Sequence, residues 1–454
     1  MHLLPHSPDP AAALLHFHQF LGQLFARPNW PRELATLDRP PVLDALVRLL
    51  GVSDFLWEDC LRLQYDNLLP LVADEQALAA ARPHALLAAE LAASLQAQPD
   101  SAAQRTALNN FKDREMFRID MRYIQGRITE FGQFSGELGD VAEVVVAAAL
   151  GLCAAALTAV HGAPLLADGS ACALAVCALG KCGGRELGFA SDIELMFVYA
   201  APGQTRGPRV LSNADYFERL VENFVALIAA RRNGVFEVDL QLRPYGAAGR
   251  MAVSLESFAA YFAPGGGAWD YERQALVKLR PVAGAAELGA QLLALRDEFI
   301  YTGARFDAGA MRAMRERQLR HLVTAGTLNA KFSTGMLVDV EYLVQALQIT
   351  HGAQTPALRV PNTRAALAAL CAAGVLDPPA HSALLDAYNF ARRLINALRM
   401  VRGNARDLTV PPVAGEEFAF LARRLGYGSR QAELAAQLAQ HVQAVQQLSA
   451  RLMP

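Results

Sequence analysis

Apolar residues recur at helical spacing along the first third of the chain. Phe117, Met121, Ile124, Ile128 and Phe131 follow one another at alternating steps of four and three with charges between them, as one buried helix face requires. The same periodicity predicts helices from about residue 10 to 160. None of the stripe residues can do acid, base or metal chemistry, so the stripe reads as packing. Val144 to Val160 is a longer apolar run, largely alanine and containing Thr158. It reaches only the short limit of about 17 residues for a membrane span and reads as a buried helix.

The period changes after the turn-forming HGAPLLADGS at 161–170. An apolar run from Ala171 to Leu179 leads through glycines into the alternating SDIELMFVY, which predicts strands. A helix follows, opened by Ser212 with Asp215 three residues on and carrying Phe217, Leu220, Val221, Phe224 and Ile228 on one face. VFEVDLQLRP then alternates again until Pro244 stops it, and strand character extends to LVKLRPVAG at 276–284. Beyond about 290 only helical patterns remain. The chain thus divides into a helical N-terminal module (1–145), an α+β domain with a small mixed sheet (146–290) and a C-terminal helical bundle (291–454).

The 454 residues carry 42 Lys and Arg against 44 Asp and Glu, a formal charge of -2. No global positive field exists to collect nucleic acid or an anionic membrane, so neither is an expected partner and any phosphate must be held locally. Charged residues are 19% and hydrophobic ones 53%, which excludes a disordered chain. The six cysteines (Cys60, Cys153, Cys172, Cys177, Cys182 and Cys371) form no CxxC or Cys/His cluster, so a reduced, cytoplasmic setting is expected. MHLLPHSPDP has no basic region or apolar core of a signal peptide.

The candidate chemistry lies in the strands. Residues i and i+2 of a strand share a face about 6–7 Å apart, so Asp192 and Glu194 stand side by side while Ile193 and Leu195 turn to the core. In VFEVDLQLRP the same parity puts Asp239, Gln241 and Arg243 on one face. If the two strands are neighbours, three acids converge. Such a group demands cations, and hard oxygen donors suit Mg²⁺ or Mn²⁺, with a two-metal site as the economical form. In GKCGGREL, Gly183 and Gly184 allow close approach of backbone N–H groups to phosphate, or else make a plain turn; a lone acidic pair can likewise be a solvated face.

This order of motifs resembles the polymerase β-like nucleotidyltransferases, and more closely the glutamine synthetase adenylyltransferases. The likeness rests on GKCGGRELGFASDIELMFVY (180–199), VDLQLRPYGAAG (238–249) and WDYERQALVKLRPVAG (269–284). It extends more weakly to FKDREMFRI (111–119), KFSTGMLVDVEYLVQALQ (331–348) and LARRLGY (421–427). The resemblance implies a polymerase β-like domain that moves AMP between ATP and a tyrosine of glutamine synthetase, or removes it by phosphorolysis to ADP, in control of nitrogen assimilation. A PII-type signal protein is a further candidate partner. It implies that Asp192, Glu194 and Asp239 hold the metal, with Asp239 also taking the proton of the attacking hydroxyl. Gly183, Gly184 and Ser191 would cradle the nucleotide phosphates, and Arg243 and Lys278 would supply fixed cations, unless these two are surface charges paired with acids.

The sequence departs from the family pattern at Glu194, where Asp is usual, at Cys182 in place of Leu, and at Gly335, Met336 and Leu337, where a glycine-rich approach is reduced. Family members carry two nucleotidyltransferase halves, whereas this sequence holds one. Two rival readings stay open: transfer to another protein or small molecule, and a catalytically silent module that binds nucleotide or glutamine synthetase. Arg312, Arg315, Arg317 and Arg320 read as a solvated basic face or a docking face for acidic protein. Asp339 and Glu341 read as helix-packing or capping residues, and the histidines, His16, His18 and His321 among them, as structural or surface residues.

Overall fold

A computed structural model describes residues 7, 9–28, 30–37, 42–44, 46–47, 51, 78–230, 235–303, 306–402 and 406–453. Cys60 and much of the expected helical module before residue 78 lie outside the described residues. Among the described residues the helices named before the sheet are α1 (Pro10–Phe25), α2 (Trp30–Leu37), α3 (His84–Gln96), α4 (Ser101–Ile124) and α5 (Phe131–His161). The apolar stripe is buried at all five positions, but it runs from α4 through Ile128 in the connecting loop to Phe131 at the start of α5. Gly126, at φ +73°, turns the chain after Gln125 caps α4, and the Arg127 N–H closes the turn on the Arg122 carbonyl. A left-handed glycine just past a helix end is a strong stop signal.

Among the described residues α5 is the one helix long and apolar enough to cross a membrane. Here it packs against α3, α4 and the sheet, burying Val141, Val144, Val145, Val146, Ala149 and Leu157.

The main sheet is mixed and runs β5–β3–β2–β7, with β6 also on β3. Its strands are β2 (Leu174–Ala178), β3 (Ile193–Tyr199), β5 (Val238–Asp239), β6 (Ala252–Ser254) and β7 (Arg280–Gly284); β1 (Pro164–Leu165) and β4 (Gln204–Thr205) form a separate pair. β2 is antiparallel to β3 and β7, while β5 and β6 lie parallel to β3. Period-two alternation divides β3 between two cores. Ile193, Leu195, Phe197 and Tyr199 join α5 and α7 (Asn213–Leu227), whereas Met196 and Val198 join α8 (Leu255–Phe262) and α10 (Ala286–Ile300). The Ser212 hydroxyl accepts the Asp215 N–H and starts α7, whose Phe217, Leu220, Val221 and Phe224 are buried as the spacing predicts.

The long strand expected over VFEVDLQLRP does not form. Only Val238 and Asp239 pair with β3, because Asp239 Oδ1 takes the Gln241 N–H at 2.8 Å and Arg243 reaches back to the Leu240 carbonyl at 2.6 Å. A side chain that satisfies its own backbone two residues on makes a turn, so Asp239, Gln241 and Arg243 do not share a strand face.

Two further helices, α9 (Asp270–Leu276) and α11 (Ala308–Leu322), lead to the bundle: α12 (Leu337–His351), α13 (Thr363–Ala372), α14 (Pro378–Arg402), α15 (Glu416–Arg424) and α16 (Gln431–Leu452). These five enclose a core of their own. The expected basic face of α11 is partly internal: Arg315 binds Asp339 at 2.5 Å and the Phe332 carbonyl at 2.6 Å.

A buried ionic cluster locks sheet to bundle. Glu186 binds the Lys278 ammonium and accepts the Thr363 N–H at the start of α13, while its carbonyl accepts from Arg392. Glu341 lies 3.7 Å from Lys278 and 3.9 Å from Arg392. Burial disfavours the Lys278 ammonium, but Glu186 and Glu341 outweigh it and raise its pKa; burial likewise opposes the Glu341 carboxylate, which Lys278 and Arg392 hold below the usual range. Lys278→Met leaves two buried carboxylates without their ammonium and should cost about 3–5 kcal/mol in urea unfolding. A depressed carboxyl stabilises the fold above its unfolded value near 4.5, so in the parent the Glu341 share of this stability is lost as pH falls below that value. Gly183→Ala should also destabilise the fold, by at least about 1–3 kcal/mol, because a Cβ there would lie 1.9 Å from the Lys278 carbonyl oxygen. Thermal unfolding of the variant checks this.

Candidate active site

Three acids are brought to one side of the sheet by strand register. Glu194 stands opposite Asp239 in the parallel β3–β5 pair, and Asp192 precedes Glu194 by two residues. In-register neighbours and i, i+2 residues present to the same face. Between β2 and β3 the chain makes one helical turn, α6 (Gly180–Gly183), and a loop through Ser191.

The side chains do not complete what the backbone begins. Asp192 lies 3.3 Å from the Lys181 ammonium; burial pushes its carboxyl up, and Lys181 more than offsets this to hold it below the usual range. Glu194 turns back over the glycine turn. Gly180 adopts φ +50°, and a Cβ on it would fall 2.5 Å from Glu194 Oε1. The sealed Oε2 of Glu194 has no hydrogen-bond partner, and burial, reinforced by Asp192, pushes its carboxyl up. Among the described residues no three His, Cys, Asp or Glu side chains gather closely enough to hold a metal ion. The expected convergence of Asp192, Glu194 and Asp239 is therefore present in the strands and absent from the side-chain tips, because Lys181 and the glycine turn draw two carboxylates apart.

The expected phosphate cradle also differs. The Gly183 N–H donates to the Leu179 carbonyl at 2.7 Å and the Gly184 N–H to that of Gly180 at 3.1 Å, so both donors are spent within the turn. Ser191 is buried, and its Oγ accepts the Gly188 N–H. Lys278 sits inside the ionic cluster, away from any phosphate that a cleft could admit. Burial raises the Cys182 thiol to about 12, leaving it an apolar filler. Arg243 does line the cleft, although its guanidinium is anchored on the Leu240 and Gly249 carbonyls.

The cleft itself, about 620 Å³, opens between β5 and the bundle. Asp192, Glu237 and Asp239 line it, and so do five cations: Lys181, Arg243, Lys331, Arg399 and Arg406. The excess of positive charge suits a polyanion. Burial, with Lys181 close by, pulls the Lys331 ammonium down to about 8, and burial with Arg392 nearby pulls Arg399 to about 10.

Sequence spacing missed Lys331, Arg399 and Arg406, which lie far along the chain from the strands. One signal was available: of 42 basic residues only Lys112, Lys181, Lys278 and Lys331 are lysines. Two of them line the cleft, Lys278 binds the loop behind it, and Lys112 lies over the Phe236 ring just before β5 at 5.3 Å. A chain that otherwise uses arginine keeps lysine where a compact cation is needed.

The family model for glutamate-ammonia ligase adenylyltransferase matches residues 43–295, and that for GlnD PII-uridylyltransferase matches 309–453. The chain is 33% identical over 377 residues to the bifunctional glutamine synthetase adenylyltransferase/adenylyl-removing enzyme of Thioalkalivibrio sulfidiphilus, covering 82% of this chain and 38% of that protein. For the proteins of the same description from Xanthomonas campestris and Stenotrophomonas maltophilia, identity is 38% over 290 residues and 40% over 237. These matches cover 62% and 50% of this chain, and 30% and 25% of the relatives. The chain thus spans well under half the length of the curated relatives it matches. With a family model covering more than half of its residues, the chain belongs to the glutamate-ammonia ligase adenylyltransferase family.

Proposed function

We propose that this chain is a metal-dependent nucleotidyltransferase that transfers AMP from ATP to a tyrosine of glutamine synthetase, or removes it by phosphorolysis. One observation carries the reading: Glu194 on β3 stands opposite Asp239 on β5 with Asp192 just before β3, and Asp192 and Asp239 line a cation-rich cleft, in a chain of this family. A polymerase β-like fold for the sheet region and the division at 145/146 and 290/291 belong to the same proposal. So do a cytoplasmic setting and regulation by a PII-type signal protein, which the GlnD-type match over 309–453 supports.

The donor set fits a hard divalent cation, Mg²⁺ or Mn²⁺: three carboxylates share one face, and Glu194 Oε2 is a sealed oxygen with no partner. Asp192, Glu194 and Asp239 would hold it, and when bound it would draw negative charge from the phosphate oxygens. Asp192 must then exchange Lys181 for the cation, which frees that ammonium for phosphate. Asp239 accepts the proton of the tyrosine hydroxyl as its oxygen bonds to the α-phosphorus and pyrophosphate departs. In the removing direction, an oxygen of inorganic phosphate bonds to the same phosphorus, the bond to the tyrosine oxygen breaks, that oxygen takes the proton back from Asp239, and the ADP so formed departs. Arg243 stiffens the wall beside Asp239. Gly183, Gly184, Ser191 and Lys278 act from behind, holding the turn that sets β3.

A catalytically silent regulator is the second reading, favoured by the ungathered carboxylates. Incubation of the pure chain with glutamine synthetase, ATP and Mg²⁺ should add AMP to the partner, or incubation of adenylylated partner with phosphate should release ADP. Nucleotide binding without either reaction supports the silent module instead. Asp192→Asn and Glu194→Gln should lower the observed reaction by about 100-fold or more while leaving the thermal midpoint near that of the parent. Glu194→Asp should keep metal binding and lose roughly 100-fold in single-turnover rate, the effect of about 1 Å of misplacement. Full activity in Asp192→Asn would remove the metal role of that residue.

A further inference from the structure

We propose that Lys331, carried by the segment between α11 and α12, binds the β- and γ-phosphates of the nucleotide, so that the bundle supplies the wall facing the acids. The inference rests on the nucleotide reading above and assigns the part of the ligand that Lys331 contacts.

Among the described residues the Lys331 ammonium makes no hydrogen bond or ion pair; it lies over the Phe332 ring, 4.7 Å from its centre, and Glu341 and Glu194 act on it only from farther off. The cations around it are engaged otherwise. Lys181 is on Asp192, Arg243 is on its own turn, and Arg399 donates to the Phe189 carbonyl at 2.7 Å. Glu341, the bundle acid that acts on Lys331, is held first by Lys278 and Arg392, which lie 3.7 and 3.9 Å from it. Lys331 is half-buried in the cleft wall, where an ammonium short of a matched anion is unfavourable and a bound phosphate offsets that cost.

The backbone carrying Lys331 is held on every side. Asn329 Oδ1 accepts the N–H groups of Lys331 and Phe332, at 3.0 Å each, and the Lys331 carbonyl accepts from Val338. Ala330 donates to the Leu408 carbonyl and Val410 to that of Leu328, while Arg315 grips the Phe332 carbonyl. A residue fixed this firmly on a loop is pre-organised for a ligand. Its charge is compact and offers three donors, which suits the tetrahedral oxygens of a terminal phosphate.

The test is titration calorimetry of the parent, Lys331→Met and Lys331→Arg with ATP, AMP and inorganic tripolyphosphate in Mg²⁺. Lys331→Met should weaken ATP and tripolyphosphate about 10- to 100-fold, the range for a charge-assisted hydrogen bond, and leave AMP within about twofold. Lys331→Arg should recover part of the loss. The ammonium is held at about 8, below its usual 10.5, so its charged form opposes folding fully below pH 8 and this penalty fades as pH rises from 8 to 10.5. Lys331→Met should therefore be no less stable than the parent at pH 7, with any gain shrinking toward pH 10.5. Equal tripolyphosphate affinity in parent and Lys331→Met overturns the proposal, as does a parallel loss of AMP binding. Tripolyphosphate binding that needs Lys331 in a protein that ignores ATP keeps the anion site and removes the nucleotide reading. A parent that binds neither ligand overturns both.

Discussion

The structure depends on how one buried carboxylate is satisfied. Glu186 sits in the loop that carries the chain from the glycine turn to β3, and it is sealed from solvent. An ammonium from the segment before β7 and a helix N-terminal N–H from the bundle meet it, and its own carbonyl holds an arginine from α14. A charge so placed is tolerated only when its partners are in position. The sheet and the bundle are therefore fixed to one another by the loop that also sets the height of Asp192. Asn396 and Arg399 extend the grip to the N–H and carbonyl of Phe189, and Asn362 takes the Gly184 carbonyl.

That arrangement explains why the cleft is built from two sides of opposite character. The strand side offers carboxylates, and the bundle side offers Lys331, Arg399 and Arg406. Neither set is comfortable alone: among the described residues Glu194 retains an oxygen with no hydrogen-bond partner, and burial pulls the Lys331 ammonium down to about 8. A cation among the acids and a polyanion between the walls would relieve both at once, which is the electrostatic basis of the proposed nucleotide site. The glycines contribute by exclusion of side chains. Gly180 makes room for the Glu194 carboxylate, and Gly183 lets the turn lie against the Lys278 carbonyl.

Local chemistry in the sequence determined a good deal. The switch from period 3.6 to period 2 near residue 170 marked where the sheet begins, and parity along SDIELMFVY turned Ile193 and Leu195 to the core, where they are buried. The Ser212 cap and the apolar face of α7 were equally legible. Each is decided by neighbours within one or two turns of chain. Where a short-range competitor was overlooked, the reading failed: Gly126 split one apolar stripe into two helices, and Asp239 ended its own strand by bonding to Gln241.

Only the tertiary structure decided which charges face the cleft. In the sequence Lys278 reads as a phosphate partner and Arg315 as a surface cation, yet each is drawn inward by an acid from a distant segment, Glu186 and Asp339 respectively. Lys331 stands about 140 residues beyond Asp192, and no periodicity links them. A charged side chain carries the same residue type whether it is solvated, paired in the interior or left facing a ligand. Its fate follows from the partners that folding places beside it, and those partners are set by the packing of whole elements.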